Sequence, residues 1–418
     1  MSSFTVERSA ALPGPEWLRD RRQAAAEKTA DSPLPSPDEE VWRYSRVGEL
    51  DLDAYELVGE PPTDGEPATP DFPHAAAAVV VDGHVVRTDV DQKWADAGVV
   101  LAPAASLDDG ARFLGSAASE PTDLFAELND AFSADPLVLH VPDGVVLDQP
   151  VAVVTRAGSE GGASFPRLVV DLGRDAEATV YELQGSESRS LVAPVVELGV
   201  GPDSRLRYVS VQMHGPEAWQ IASLVARVDD RADLLMAHGA FGGDYARLRT
   251  DCRLAGRGAN GSLLAAYFGE RDQMLDLRTF QDHAAPDTTS ELLFKGAVAD
   301  RSQSVYTGLI RVRPDGRGTD AHQTNRIIKL SEDAWAESVP NLEIENNDVR
   351  CAHASAVGPV DEDQRFYLES RGVPPQPAER LVVSGFFEEV LRRVPVPAAA
   401  AELRAELGRR LARELEPT

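Results

Sequence analysis

Ala193–Met213 reads APVVELGVGPDSRLRYVSVQM, and Ile221–Phe241 reads IASLVARVDDRADLLMAHGAF. Each stretch joins two short apolar runs across a polar turn containing Asp or Gly. The same unit occurs upstream in Pro136–Gly158 and Phe165–Gly185, and downstream in Cys252–Glu270 and Ser304–Leu330. The units recur at roughly 20 to 25 residues, a period at which repeats stack into solenoids. Within RLRYVSV (Arg205–Val211), Leu206 and Tyr208 share one face while Val209 and Val211 share the other, as in a strand apolar on both sides. No amphipathic helices of about 10–15 residues separate the runs, which argues against βαβ layering. A β-helix or a stacked β-sandwich fits, and the irregular repeat length favours a β-helix with loose turns.

Both flanks read differently. GPEWLRDRRQAAAEKTA (Gly14–Ala30) is helix-compatible and is ended by the proline-rich Ser32–Pro37. Trp42 and Tyr44 then offer aromatic anchors for docking this segment on a core, and a polar linker, Gly59–Pro73, follows. Asp82-Gly83 between valine-rich runs predicts a hairpin turn, and Leu124–Phe132 predicts a helix. After Asp361 the pattern is helical again, with Leu381, Val382, Phe386, Val390 and Leu391 on one apolar stripe. Pro395 and Pro397 break it, and Leu403, Leu407, Leu411 and Leu415 repeat every fourth residue beyond. The expected organisation is mainly β: a helical region and linker over 1–74, a β-helix core over 75–360 and a helical domain over 361–418.

The 418 residues carry 41 basic and 69 acidic side chains, a net charge of −28. Only four of the basic residues are lysines: Lys28, Lys93, Lys295 and Lys329. Such a surface repels phosphates and anionic lipids, so neither nucleic acid nor membrane is an expected partner. It resembles the lysine-poor surfaces of organisms with a salty cytoplasm. Two cysteines 99 positions apart argue against a disulfide framework. MSSFTVERSAALPG has no basic n-region or apolar h-region, and no window nears the roughly 18 apolar residues of a membrane span. A cytoplasmic location is expected.

Catalytic signatures are lacking. There is no GxxxxGK[ST] loop, so no ATP site of its own is expected; GARFLG and GRGANG have the wrong spacing or context for a dinucleotide site, and neither G-x-S-x-G nor H-E-x-x-H occurs. His283 and His322 sit among polar turn residues, where hydrogen-bonded turn roles outweigh acid–base roles. Cys252 reads as an inert, partly buried small hydrophobe.

Asp348–Gly372, DVRCAHASAVGPVDEDQRFYLESRG, stands apart. Cys351 and His353 are two residues apart, so in an extended strand thiol and imidazole share a face. Both are ligands for soft or borderline metals, but such centres usually want about four ligands, so the others would come from elsewhere in the fold or from a second protein. Arg350 and His353 are neighbours able to lower the Cys351 pKa. A buried cysteine beside an ordinary histidine is the alternative.

DHAAPDTTSELLFKGAVAD, SVYTGLIRV, TDAHQTNRIIKLSEDA, PNLEIENNDVRCAHASAVGPVDEDQRFYLESRGV and AERLVV, in this order over about a hundred residues, resemble the carboxy-terminal half of the SufB/SufD family of iron–sulfur cluster assembly proteins. PEWLRDRRQAA, EEVWRYS, NDAF and VPDGVVLDQPV extend the resemblance toward the N-terminus. Leu368, where SufB-type chains typically carry cysteine, and the N-terminal motifs favour the SufD branch. The resemblance implies a central right-handed parallel β-helix flanked by N- and C-terminal helical regions. It also implies a non-enzymatic scaffold subunit in an assembly with SufB and two copies of the ATPase SufC. The β-helix would pair with SufB, the C-terminal helical domain would dock SufC, and a homodimer without SufB is the alternative assembly. A transient iron–sulfur cluster would be shared with SufB at their interface, and the subunit would support iron acquisition. By motif position His353 is the favoured ligand and Cys351 the second. The alternatives are a SufB-like scaffold paralogue, a purely structural adaptor and a β-helix carbohydrate-active enzyme.

Overall fold

A computed structural model describes residues 3–60, 67–117 and 120–414. The central repeats form a parallel β-solenoid of about eight turns. Each turn lays one strand in each of two facing sheets. Strands Val195–Val200, Ala218–Val228, Tyr245–Leu254, Met274–His283, Gln303–Val312 and Trp335–Ile344 stack in chain order in the first sheet. Strands Arg205–His214, Asp233–Ala240, Asn260–Gly269, Thr289–Val298, Thr319–Lys329 and Val349–Gly358 do so in the second.

Arg205 pairs with Asp233, Asp233 with Asn260 and Asn260 with Thr289, so the turns advance by 28, 27 and 29 residues. This is longer than the sequence period suggested. The apolar runs delimit a strand, a corner and a second strand, but the polar corner returning to the first sheet carries no hydrophobic signal.

One corner has a recurring backbone device. Gly144, Asp175, Asp203, Arg231, Gly258, Asp287 and Gly318 all have positive φ. The N–H of each bonds to the carbonyl one residue before its counterpart on the next turn: Asp175 to Pro202, Asp203 to Asp230, Arg231 to Arg257, Gly258 to Pro286 and Asp287 to Arg317. Gly and Asp recur there because they visit left-handed conformations most readily. These are the Asp- and Gly-bearing turns of the sequence repeat.

The face switch in Arg205–Val211 has a direct cause. Leu206 and Tyr208 join the core between the sheets, with Leu198, Leu234 and Leu263. Val209 and Val211 face outward into a second core with Phe387, Leu403 and Leu407 of the C-terminal helices. Those helices, Pro375–Leu391 and Pro397–Glu414, therefore cover the outer face of the second sheet. Leu381 departs from the expected stripe: it is 55 % exposed, while Val383 and Phe387 are buried. Leu415 and residues 61–66 of the expected linker lie outside the described residues.

The N-terminal segment docks on the outer face of the first sheet. Its helix spans Glu16–Thr29 and packs near the Leu124–Phe132 helix. Trp42 is buried against Phe125, with the Arg247 guanidinium 3.9 Å from its ring centre. Arg247 and Arg278 also donate to the carbonyls of Val41 and Arg43, at 2.9 and 2.6 Å. Tyr44 stays exposed, its ring 6.0 Å from that of Trp335. Asp82 and Gly83, both at positive φ, turn the antiparallel hairpin between Ala76–Val81 and His84–Val90.

Candidate metal-ligating site at the open end of the solenoid

The last turn consists of Trp335–Ile344 in the first sheet and Val349–Gly358 in the second, each ten residues long. Among the described residues each is terminal in its sheet, with a single strand neighbour. One row of backbone N–H and C=O groups on each strand is thus free to pair with another chain.

Register decides which side chains face inward. Ala336, Ser338, Pro340, Leu342 and Ile344 continue the inner column above Ser304, Tyr306, Gly308, Ile310 and Val312. Cys351, His353, Ser355 and Val357 pair with Ala321, Gln323, Asn325 and Ile327, all buried. Cys351 and His353 therefore share the inner face, as their spacing predicts. They differ from the residues beneath in exposure: His353 is exposed and Cys351 half-buried, because no strand among the described residues stacks beyond them.

Cys351 packs against Ile310, Val312 and Ala321. Burial pushes its thiol up, and the nearby Asp320 carboxylate adds to the rise. The expected lowering by Arg350 does not occur, because Arg350 is 2.8 Å from Asp320 and its charge is taken up there. His322 Nε2 lies 2.9 Å from the same carboxylate. Cys351 is consequently not an activated nucleophile, and a bound metal would favour its thiolate form. Among the described residues no group of three or more His, Cys, Asp and Glu side chains comes together to hold a metal. The end can offer one accessible imidazole and a neighbouring thiol, with any further ligands coming from a facing molecule.

The remaining sequence candidates are structural. His283 is buried, bonded through Nδ1 to Thr288 Oγ1 at 2.8 Å and through Nε2 to Ser290 Oγ at 2.9 Å. Burial pushes its pKa down to about 4. Cys252 lies in the inter-sheet core, its thiol pushed up to about 12 mainly by burial.

The sequence reading missed the polar surroundings of the pair. Ser355 Oγ donates to Ser338 Oγ at 2.6 Å, and Asn325 Nδ2 donates to the same Ser338 oxygen at 2.8 Å. Ser355 and Asn325 are 17 and 13 positions from Ser338, separations that signal nothing until the register is known. Leu368 lies in the Glu362–Ser370 helix beside a groove of about 930 Å³, lined also by Lys295, Arg326, Tyr367, Leu381 and Phe386. None of the helices among the described residues is long and apolar enough to cross a membrane.

The molecule is thus a two-sheet parallel β-solenoid with helical ends, presenting a His/Cys pair at an uncapped last turn. Residues 154–386 match the family described as "SUF system FeS cluster assembly, SufBD core domain", and residues 12–153 match the SufBD protein N-terminal region. The chain is 35 % identical over 307 residues to an iron-sulfur cluster assembly SufBD family protein of Mycobacterium bovis, covering 71 % of this chain and 76 % of the relative. A protein of the same description from Mycobacterium leprae is 32 % identical over 298 residues, covering 69 % and 75 %. One from Staphylococcus saprophyticus is 23 % identical over 431 residues, covering 96 % and 90 %. The chain belongs to the SufBD family of iron–sulfur cluster assembly proteins.

Proposed function

We propose that this chain is the SufD-type, non-enzymatic subunit of a cytoplasmic scaffold built with SufB and SufC, and that its open solenoid end meets SufB where the nascent cluster forms. The observation that carries this reading is the inward-facing Cys351 and His353 on a last turn whose two strands have free edges. A second solenoid can add its strands to those edges and supply the missing ligands at the same stroke. His353 is the favoured ligand because it is accessible without loss of packing, whereas Cys351 carries a raised pKa and supports a small apolar cluster. The cluster is the product assembled there and handed on, not a resident group. Leu368 in place of a cysteine supports the SufD-type assignment. The groove beside it, between the outer face of the second sheet and the C-terminal helices, suits the docking of SufC. ATP hydrolysis would then reside in SufC and reach the solenoid end through those helices.

Co-expression of His353→Ala with SufB and SufC, followed by absorbance and iron assays on the purified assembly, tests the ligand role. Loss of most of the cluster with subunit stoichiometry intact is expected. Undiminished cluster would show instead a structural adaptor. Recovery of the wild-type chain without SufB and SufC would argue for a homodimer.

A further inference from the structure

We infer that Tyr44 of the N-terminal segment and Trp335 of the last turn form one aromatic anchor, which takes up a large apolar side chain from the partner strand that pairs with the free edge of Trp335–Ile344. Tyr44 and Trp335 are 40 % and 37 % exposed, and their ring centres lie 6.0 Å apart at an interplanar angle of 56°. Trp335 opens the terminal strand of the first sheet. Alternation places its side chain on the opposite face from Ala336 and Ser338, and so on the outer face where the N-terminal segment docks.

Tyr44 is held there against its backbone preference. Its φ is 65°, whereas the other non-glycine residues at positive φ among the described residues are Asp and Arg. A left-handed backbone disfavours a bulky side chain and persists only where the surroundings enforce it. Both flanks do so here. Trp42 is buried, the Arg43 carbonyl accepts from Arg278 Nη2 at 2.6 Å, and Arg46 lies 2.9 Å from Asp244. What this enforced turn delivers is a ring left exposed rather than buried, beside a strand that has a free edge among the described residues.

A chain that adds a strand to that edge sets its backbone about 4.8 Å beyond Trp335, with every second side chain on the outer face. The side chain opposite Trp335 then falls against both rings. The Arg43 guanidinium already lies 5.2 Å from the Tyr44 ring centre, so a cation is supplied from within the chain and the pair is left to take an apolar group. Tyr and Trp give large, rigid contact area at low entropic cost, and with Arg they dominate interface hot spots.

This inference rests on the open end meeting SufB, and the two can be tested apart. Hydroxyl-radical footprinting of the wild-type full chain, alone and in the assembly with SufB and SufC, reads both rings. Tyr44 and Trp335 should be oxidised in the free chain and protected in the assembly. Tyr44→Gly removes the ring and also relieves the left-handed backbone, so it should melt at or above the wild-type temperature. It should nevertheless bind purified SufB roughly 10–100-fold more weakly, as should Trp335→Ala. Equal labelling of the rings in free and assembled chain overturns the anchor even if the variants fail to fold. So do folded variants with unchanged affinity for SufB, and a lowered melting temperature in Tyr44→Gly would then mark the ring pair as an internal clasp. In these cases SufB still binds, and the reading of the open end stands. A wild-type chain that pairs with itself through the two rings, and not with SufB, removes the SufB reading and keeps the anchor. One that pairs with neither removes both.

Discussion

Ser355 and Ser338 close the last turn of the solenoid, Oγ to Oγ at 2.6 Å, with Asn325 of the preceding turn donating to Ser338 at 2.8 Å. This contact ties the final strand of one sheet to the final strand of the other. It therefore holds the end at which Cys351 and His353 are displayed.

Ser338→Ala removes the hinge of that contact and leaves Asn325 and Ser355 without it. The expected cost is about 1 kcal/mol, confined to the last turn. Hydrogen exchange should speed up in the amides of Val349–Gly358 bonded to the preceding strand, while the global melting temperature barely moves. Uniform acceleration over all turns would contradict the local role.

Asp276 is fully buried between Arg247 and Arg278, with its oxygens 2.8 Å from Arg247 Nη1 and 2.6 Å from Arg278 Nε. Burial opposes its charge, but the two guanidinium groups prevail and hold the carboxyl below its ordinary range. Asp276→Ala would strand two buried cations beneath Trp42, at a cost of about 3–5 kcal/mol. Denaturant unfolding should register that loss, and proteolysis should show the Trp42 segment released from the first sheet.

Burial pushes His214, His238 and His283 down to about 4. Each ring is neutral in the folded chain, while the unfolded chain takes up a proton below about pH 6.5. Stability is therefore complete above that value and declines as pH falls from about 6.5 to about 4. Near pH 5 each ring should cost about 2 kcal/mol. Both ring nitrogens of His214 lack partners, so His214→Leu should leave stability at neutral pH within about 1 kcal/mol and flatten the acid limb. Parallel pH profiles for wild type and variant would refute this.

Gly296 lies against the Tyr267 ring, where a Cβ would collide with the aromatic carbons. Gly296→Ala should destabilise the solenoid by about 1–3 kcal/mol through overpacking. At Gly358, by contrast, a Cβ would meet nothing within 4 Å, and Gly358→Ala should melt close to wild type. Equal effects at the two positions would mean that inner-face crowding is not the cause.

The order of elements was legible because each leaves a local mark. Asp82-Gly83 announced its hairpin, Leu124–Phe132 its helix, and the paired apolar runs around Asp and Gly the turns of a solenoid. The two-residue spacing of Cys351 and His353 likewise forced them onto one face once the segment was a strand. Other features depended on contacts between positions far apart. The true length of a turn required the silent corners, and the burial of Val209 and Val211 required helices nearly 200 residues away.

For the candidate site the division is sharper. Sequence alone supplied the candidate donors, placed them on one side of any strand they occupy, and left a site built on the two of them incomplete. Tertiary structure decided that this side faces into an uncapped end, that Arg350 spends its charge on Asp320 rather than on the Cys351 thiol, and that Gln323 lies beneath His353. The reason is register. Residues about thirty positions apart become neighbours only through strand pairing, and strand pairing is set by the fit of whole turns upon one another.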